Sequence, residues 1–317
     1  MENTWEASVR TGWIVGLALA VILIAATVGL VVTAVVTPLS IRVFLMGLGA
    51  CLTLGLAIRV IYQLWGLINA KYELDRNALT IHWGPVQHQI PMGSVHEVLS
   101  GAKLDNLHIR PSLRWPGYMV ALGRAKRPKE QDEQAEEEAA SIDPILFYAT
   151  KRPKYQVVIR TEGIAYAISP ADTEGFLVAL RERLEMGPTQ EVEEQSRHPA
   201  FLDWPIWKDR WALGMLIASL ASLVLLVGVL SWRYPYLPSE IALRFTPDGA
   251  PLLVGRAIRI FYFALLATGF LLIDGSLGLF FYRRERPIAY FLWSGLLATM
   301  GSLWAAVISI LLMQQPQ

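Results

Sequence analysis

The chain has 317 residues, 54% of them hydrophobic and only 17% charged, with a formal net charge of +1. A soluble domain carries nearer a quarter charged residues, and a nucleic-acid binder would show a basic stripe, so neither class is expected and no nucleic-acid partner is inferred. The single cysteine, Cys51, lies in an apolar run, which excludes a disulfide framework within the chain and a thiolate metal site.

The first elements are two apolar runs, Trp13 to Val36 and Val43 to Ile68. Each exceeds the roughly 20 residues a helix needs to cross a hydrocarbon core. The first carries no charge and is too long for the apolar region of a cleaved signal peptide. Residues 1–69 therefore read as a retained transmembrane hairpin with Thr37-Pro38-Leu39-Ser40 as its turn.

Residues 70–187 have a different texture. Tyr72 to Asp75 and Ala78 to Trp83 alternate around Arg76-Asn77, which predicts a β-hairpin, and Gly84-Pro85 breaks the chain after it. A further short strand is predicted at His88 to Pro91, leading into Ser94 to Val98, and others at Tyr118 to Leu122, Ile145 to Tyr148, Gln156 to Arg160 and Ala165 to Ile168, with Glu162-Gly163 as a tight turn. A helix is predicted next, with Ser169 as its cap, Pro170 at the first helical position and Asp172 at the third. Phe176, Leu177, Leu180 and Leu184 mark its apolar face. Some seven strands closed by one amphipathic helix is the plan of a pleckstrin-homology-like barrel.

Residues 188–211 form an acidic linker ending in Trp204, Trp207 and Trp211, interleaved with Lys208 and Arg210, a composition suited to the headgroup level. Three more spans follow at about 212–232, 260–282 and 288–313, with a loop at 233–259 between the first two. Five spans leave two orientations, and the short loop Arg283-Arg284-Glu285-Arg286 favours one of them by the positive-inside rule, against four arginines in 233–259. That orientation places the N-terminus and 70–187 in the cytoplasm of a plasma-membrane protein, and 233–259 and the C-terminus outside. The fold class expected is an α+β membrane protein: a two-helix transmembrane hairpin, a cytoplasmic β-barrel with a C-terminal capping helix, then three transmembrane helices.

Two segments resemble known families. The stretch from Tyr72 to Ile81, followed by Gln89-Ile90-Pro91 and Val95-His96-Glu97-Val98, resembles the opening of bacterial PH-like membrane proteins, where a first hairpin leads into an "I-P-x-x-x-I-x-x-V" stretch after a transmembrane pair. Ala165 to Asp172, with Phe176, is similar to that family's last strand and helix. The resemblance implies the barrel fold and no catalytic residues or settled ligand. In the loop, Pro238, Ile241, Arg244, Phe245 and Gly249 resemble the "P-x-x-I-P-x-H-F/W-x-x-x-G" signature of a family of small bacterial membrane proteins of unknown function. Arg244 stands where that family usually has histidine.

Candidate functional residues are few. Arg59 and Asp274 are ionisable residues within apolar spans, and an Arg59–Asp274 pair between helices, or snorkelling of Arg59, would settle their charge. Arg124, Lys126, Arg127, Lys129, Lys151, Arg152 and Lys154 flank the acidic run Glu130 to Glu138 and could meet anionic lipid, neutralise that run, or be solvated. The five histidines, His82, His88, His96, His108 and His198, lack metal-ligand spacing, and no hydrolase, metalloprotease or phosphate-loop motif is present. No cofactor and no enzymatic activity are expected. The expected function is a membrane-anchored protein-binding or scaffolding module. The alternative is a carrier, sensor or immunity-type protein whose spans act and whose soluble domain regulates. Membrane lipids, an unidentified protein and a second copy of the chain are the partners considered.

Overall fold

The computed structural model describes residues 4–103, 105–110, 112–126, 142–161, 163–190, 192–197, 204–246 and 251–313. Residues 127–141, which include Arg127, Lys129 and the acidic run, lie outside the described residues, as do Glu162, His198 and Gly249. The chain divides into two compact units, Met1–Ala25 with Leu54–Pro199 and Ala26–Thr53 with Ala200–Gln317.

In the first unit the chain enters as β1 (Thr4–Glu6) and continues into α1 (Arg10–Val36) and α2 (Ile41–Ile68). An antiparallel meander follows, β2 (Lys71–Leu74), β3 (Ala78–Trp83) and β4 (Val86–Pro91). Then come β5 (Glu97–Ser100), β6 (Asp105–Ile109), β7 (Met119–Lys126), β8 (Ile142–Ala149), β9 (Val157–Arg160) and β10 (Ala165–Ile168). Helix α3 (Thr173–Met186) and β11 (Gln195–Arg197) complete the unit.

The strands form two open sheets, ordered β1-β2-β3-β4-β11 and β5-β9-β10-β8-β7-β6. This corrects the expected closed barrel. Strand β10 pairs in parallel with β8, and β7 and β6 extend the sheet beyond it. The second sheet thus grows outward instead of curling back on the first, whose ends are taken by the three-residue strands β1 and β11.

Alternation, broken at the consecutive buried pair Ala78 and Leu79, gives the first sheet one dry and one wet face. Trp5, Tyr72, Leu74, Leu79, Ile81, Trp83, His88 and Ile90 are buried, while Thr4, Glu6, Glu73, Thr80, His82 and Gln89 alternate with them on the other face. The buried face packs on Val157, Ile159, Tyr166 and Ile168 of the second sheet and on Phe176 and Leu180 of α3. Trp5 meets Phe176 edge-on at 5.5 Å between ring centroids, so β1 contributes a large core side chain. The α3 face read from sequence is the one that packs, with Leu177 and Leu184 partly buried beside it.

The start of α3 departs from expectation. The cap is Asp172, whose carboxylate accepts from Gly175 N at 3.0 Å, and the helix begins at Thr173. The Ser169 hydroxyl is occupied elsewhere, accepting from Thr150 N at 2.6 Å, and Pro170 bridges to Ala7. Tyr72 ties these parts together, donating to Tyr148 O at 2.8 Å and accepting from Ser169 N at 3.3 Å.

Two glycine contacts mount the sheets on the helices. Gly117, at φ +86°, lies so close to α1 that a Cβ on it would come within 2.2 Å of Gly12 N, and Trp115 Nε1 donates to Gly12 O at 2.8 Å. Gly84, at φ +59° in the β3–β4 turn, lies against Gly66 of α2, where a Cβ would come within 2.8 Å of the Gly66 Cα. Only glycine combines a positive φ with backbone approach this close.

The second unit holds α4 (Arg210–Arg233), the hairpin β12 (Glu240–Phe245) and β13 (Pro251–Arg256), α5 (Phe261–Tyr282) and α6 (Arg286–Met313), with the middle of the N-terminal helix pair. Small residues let α5 and α6 approach closely, and a Cβ on Gly278 would sit 2.1 Å from Trp293 Nε1. Trp304 Nε1 donates to Ser222 Oγ at 3.0 Å, and the Thr27 and Thr53 hydroxyls bond at 2.8 Å. The segment read as a loop at 233–259 contains the β12–β13 hairpin, with Ile241 buried in the helical cluster.

Five helices, Arg10–Val36, Ile41–Ile68, Arg210–Tyr236, Ala257–Tyr282 and Arg286–Met313, are long and apolar enough to cross a membrane. They expose Ile22, Leu52, Leu265, Leu272 and Leu312. Water penalises such surface and lipid does not.

Candidate functional site: the polar face of the first sheet

The turn residues Arg76 and Asn77, which join β2 to β3, receive the chain as it leaves α3. Gly187 ends that helix at φ +69°, and its carbonyl accepts from Arg76 Nε at 3.3 Å. The Asn77 carboxamide oxygen then accepts from Thr189 N and Thr189 Oγ1, both at 2.8 Å, and from Gln190 N at 3.2 Å. Farther on, Glu194 Oε1 accepts from Tyr166 OH at 2.7 Å, and Gln195, Ser196 and Arg197 pair antiparallel with Gln89, His88 and Gln87 of β4. The chain's own linker therefore straps the sheet and supplies its last strand.

Beside this strap lies a 580 Å³ cleft lined by Thr4, Glu73, Asp75, Asn77, Thr80, Gln89 and Gln190. A second cleft, of 530 Å³, begins at Thr4 and runs past Glu6, Lys71 and His82 to Trp65, Ile68 and Asn69 at the end of α2. Glu73 links the two regions, accepting from Lys71 Nζ at 2.5 Å and bonding His82 Nε2 at 3.0 Å. The Lys71 ammonium first, and His82 after it, holds the Glu73 carboxyl below its ordinary value. The surface offers amide, hydroxyl and balanced charged groups beside a sheet edge, a chemistry that hydrogen-bonds extended backbone.

Beneath this face the sheets enclose tyrosines. His88 Nε2 bonds Tyr148 OH at 2.8 Å, and burial pushes the Tyr72 and Tyr148 hydroxyls up to about 12. Burial likewise raises Tyr118 to about 12. Arg59 is exposed on α2. Asp274 lies half-buried on α5, in the second unit. Among the described residues no group of three His, Cys, Asp or Glu side chains could hold a metal ion.

The basic residues singled out from sequence are dispersed in their engagements. Lys151 Nζ donates to Pro170 O at 2.9 Å, to Ala171 O at 3.4 Å and to Thr173 Oγ1 at 3.2 Å, pinning the start of α3. Lys154 lies over the Tyr155 ring, while Arg124 and Arg152 are exposed. Lys126 ends β7. In the hairpin, Arg244 pairs with Leu253 and Phe245 with Pro251, and Pro238 precedes β12.

Sequence reasoning missed Asn77 as a clamp and Asp209 as a joint. Asp209 caps α4, its Oδ1 accepting from Trp211 N and Ala212 N, both at 3.1 Å. Its Oδ2 accepts from Tyr282 OH at 2.7 Å and from Tyr290 OH. The Tyr282 bond, then the Tyr290 bond, lowers the Asp209 carboxyl to about 2. An aspartate directly before an apolar run is the cap signal that marks it in the sequence. No family model, curated protein sequence or solved structure matches the chain.

Proposed function

We propose that this chain is a five-span membrane protein that displays a non-catalytic binding module, PH-like in plan, on the cytoplasmic side. In this reading the C-terminus and the β12–β13 hairpin lie outside, and the module scaffolds a protein partner by pairing with an extended segment at the first sheet. The observation that carries the reading is the edge of β4. It already accepts a strand, the three-residue β11, in register beside a 580 Å³ polar cleft. A groove that seats one extended polar segment has the hydrogen-bonding geometry to seat another, the side-chain pockets giving selectivity.

The test is site-specific photo-crosslinking in native membranes with the full chain. Probes at Thr80 and Gln89 face the cleft, and a probe at Val178 lies on the exposed side of α3. One and the same protein adduct from the first two positions and not from the third is the expected result. Equal labelling from all three positions, or no adduct together with solute flux through the purified protein in liposomes, would overturn the reading in favour of a carrier.

A further inference from the structure

At one end of the second unit, the segment 204–211 meets the connection between α5 and α6. Ile206 is buried against Ala212, Tyr282, Ala289 and Trp293, and Asp209 joins α4 to both tyrosines as described. This packing arranges the arginines around it. Arg283 lies over the Trp204 ring at 5.7 Å, Arg286 over Tyr282 at 5.6 Å and Arg284 over Phe280 at 5.0 Å. A guanidinium resting on an aromatic face keeps its edge donors free for an anion and loses less freedom on binding one.

Lys208 and Arg210 are exposed in the same short stretch of chain, so among the described residues five cations share this end with two carboxylates, Asp209 and Glu285. Asp209 already accepts four hydrogen bonds. Among the described residues none of the five cations makes an ion pair. The adjoining surface is apolar: Trp207, Trp211, Phe280 and Phe291 are all more than half exposed. Cations beside exposed aromatic side chains match one chemical class, an amphiphile with an anionic head and acyl tails.

We propose that the Arg283–Arg286 connection and the Trp204–Trp211 segment form a binding site for an anionic phospholipid of the adjacent leaflet. The phosphate is held by Arg283 and Arg286, and the acyl chains lie along Phe280 and Phe291. The inference rests on the membrane reading, which sedimentation of the chain with the membrane fraction tests separately.

The experiment uses the full chain purified in neutral detergent and titrated with phosphatidylglycerol or phosphatidylcholine, with bound lipid counted by native mass spectrometry and melting followed in parallel. Phosphatidylglycerol is expected to bind and raise the melting temperature, and phosphatidylcholine to do neither. The Arg283→Gln/Arg286→Gln double variant should bind phosphatidylglycerol about thirtyfold more weakly, since each basic residue near an anionic surface contributes about 1 kcal/mol and tenfold corresponds to about 1.4 kcal/mol. Arg256→Gln/Arg259→Gln, elsewhere in the same unit, should bind as the unaltered chain does. Equal loss in both double variants, no loss in the first, or the same melting shift from inorganic phosphate alone would each overturn the proposal. Should the glutamine pair not fold, Arg283→Lys/Arg286→Lys carries the test. Retained charge should then preserve phosphatidylglycerol over phosphatidylcholine selectivity, and loss of that selectivity with folding intact would refute a charge-based site.

Discussion

Replacing Gly117 with alanine probes how the β-sheet domain is mounted on α1. Gly117 stands at φ +86°, where an L side chain costs about 1–2 kcal/mol. The new Cβ would also lie 2.2 Å from Gly12 N and 2.6 Å from Gly12 Cα, both backbone atoms that cannot rotate away. Overpacking of this kind costs about 1–3 kcal/mol, and the Trp115 indole bond to Gly12 O is strained with it. A total near 3 kcal/mol lowers the melting temperature of a unit this size by about 6–12 °C. Gly12→Ala separates the two contributions, because Gly12 is helical and its Cβ only clashes, at 2.1 Å from Gly117 O. Gly29→Ala is the control, since nothing lies within 4 Å of its Cβ. The assay is tryptophan-fluorescence melting of the full chain in detergent, with amide exchange across residues 115–118. If Gly12→Ala and Gly117→Ala both melt and exchange like Gly29→Ala, the close contact is not a constraint and the mounting is wrong.

Three further outcomes are expected. Asp209, with its carboxyl lowered to about 2, contributes stability that is complete above its ordinary value near pH 4 and is lost as pH falls toward 2; Asp209→Asn should abolish that acid-dependent loss, as read from melting temperature against pH. Tyr72→Phe leaves the buried Ser169 N and Tyr148 O without their partner and should destabilise the first unit by about 1–3 kcal/mol in chemical denaturation. Asn77→Ala removes the acceptor for three donors of the strap and should speed amide exchange across 187–197, with little effect on the midpoint of global unfolding.

Much of the fold was legible because its signals are local. The five apolar runs, the period-two alternation of Tyr72 to Trp83 and the Phe176–Leu180 stripe each report on their own neighbourhood, and each forms the expected element. What escaped depends on distant partners. Ser169 looks like a helix cap until Thr150 N claims its hydroxyl, and the cap passes to Asp172. Thr4–Glu6 and Gln195–Arg197 are too short to show alternation, and become strands only because β2 and β4 offer open edges. The closed barrel fails for the same reason: the parallel pairing of β10 with β8 is a long-range choice that hydropathy does not encode. Asn77 read as a turn residue, and its second role as a clamp depends on a strap more than a hundred residues away. Asp209 is the instructive exception, since its position before an apolar run marks the cap while its two tyrosine partners remain invisible to any local pattern.

The mounting bears on how the proposed module works. The two glycine contacts fix the sheets to α1 and α2, and β1, which precedes α1, is itself an edge strand of the first sheet. A domain held this way loses little freedom when a partner docks, so more of the contact energy appears as affinity. The strap sets the threshold. β11 is three residues long, and all three are exposed, so it buries little apolar surface while holding the β4 edge. An incoming strand that spans the whole of Val86–Pro91 and fills the cleft would form more backbone bonds than it displaces. Under the proposed function, exchange of the strap for a longer segment is the step at which a partner would be selected.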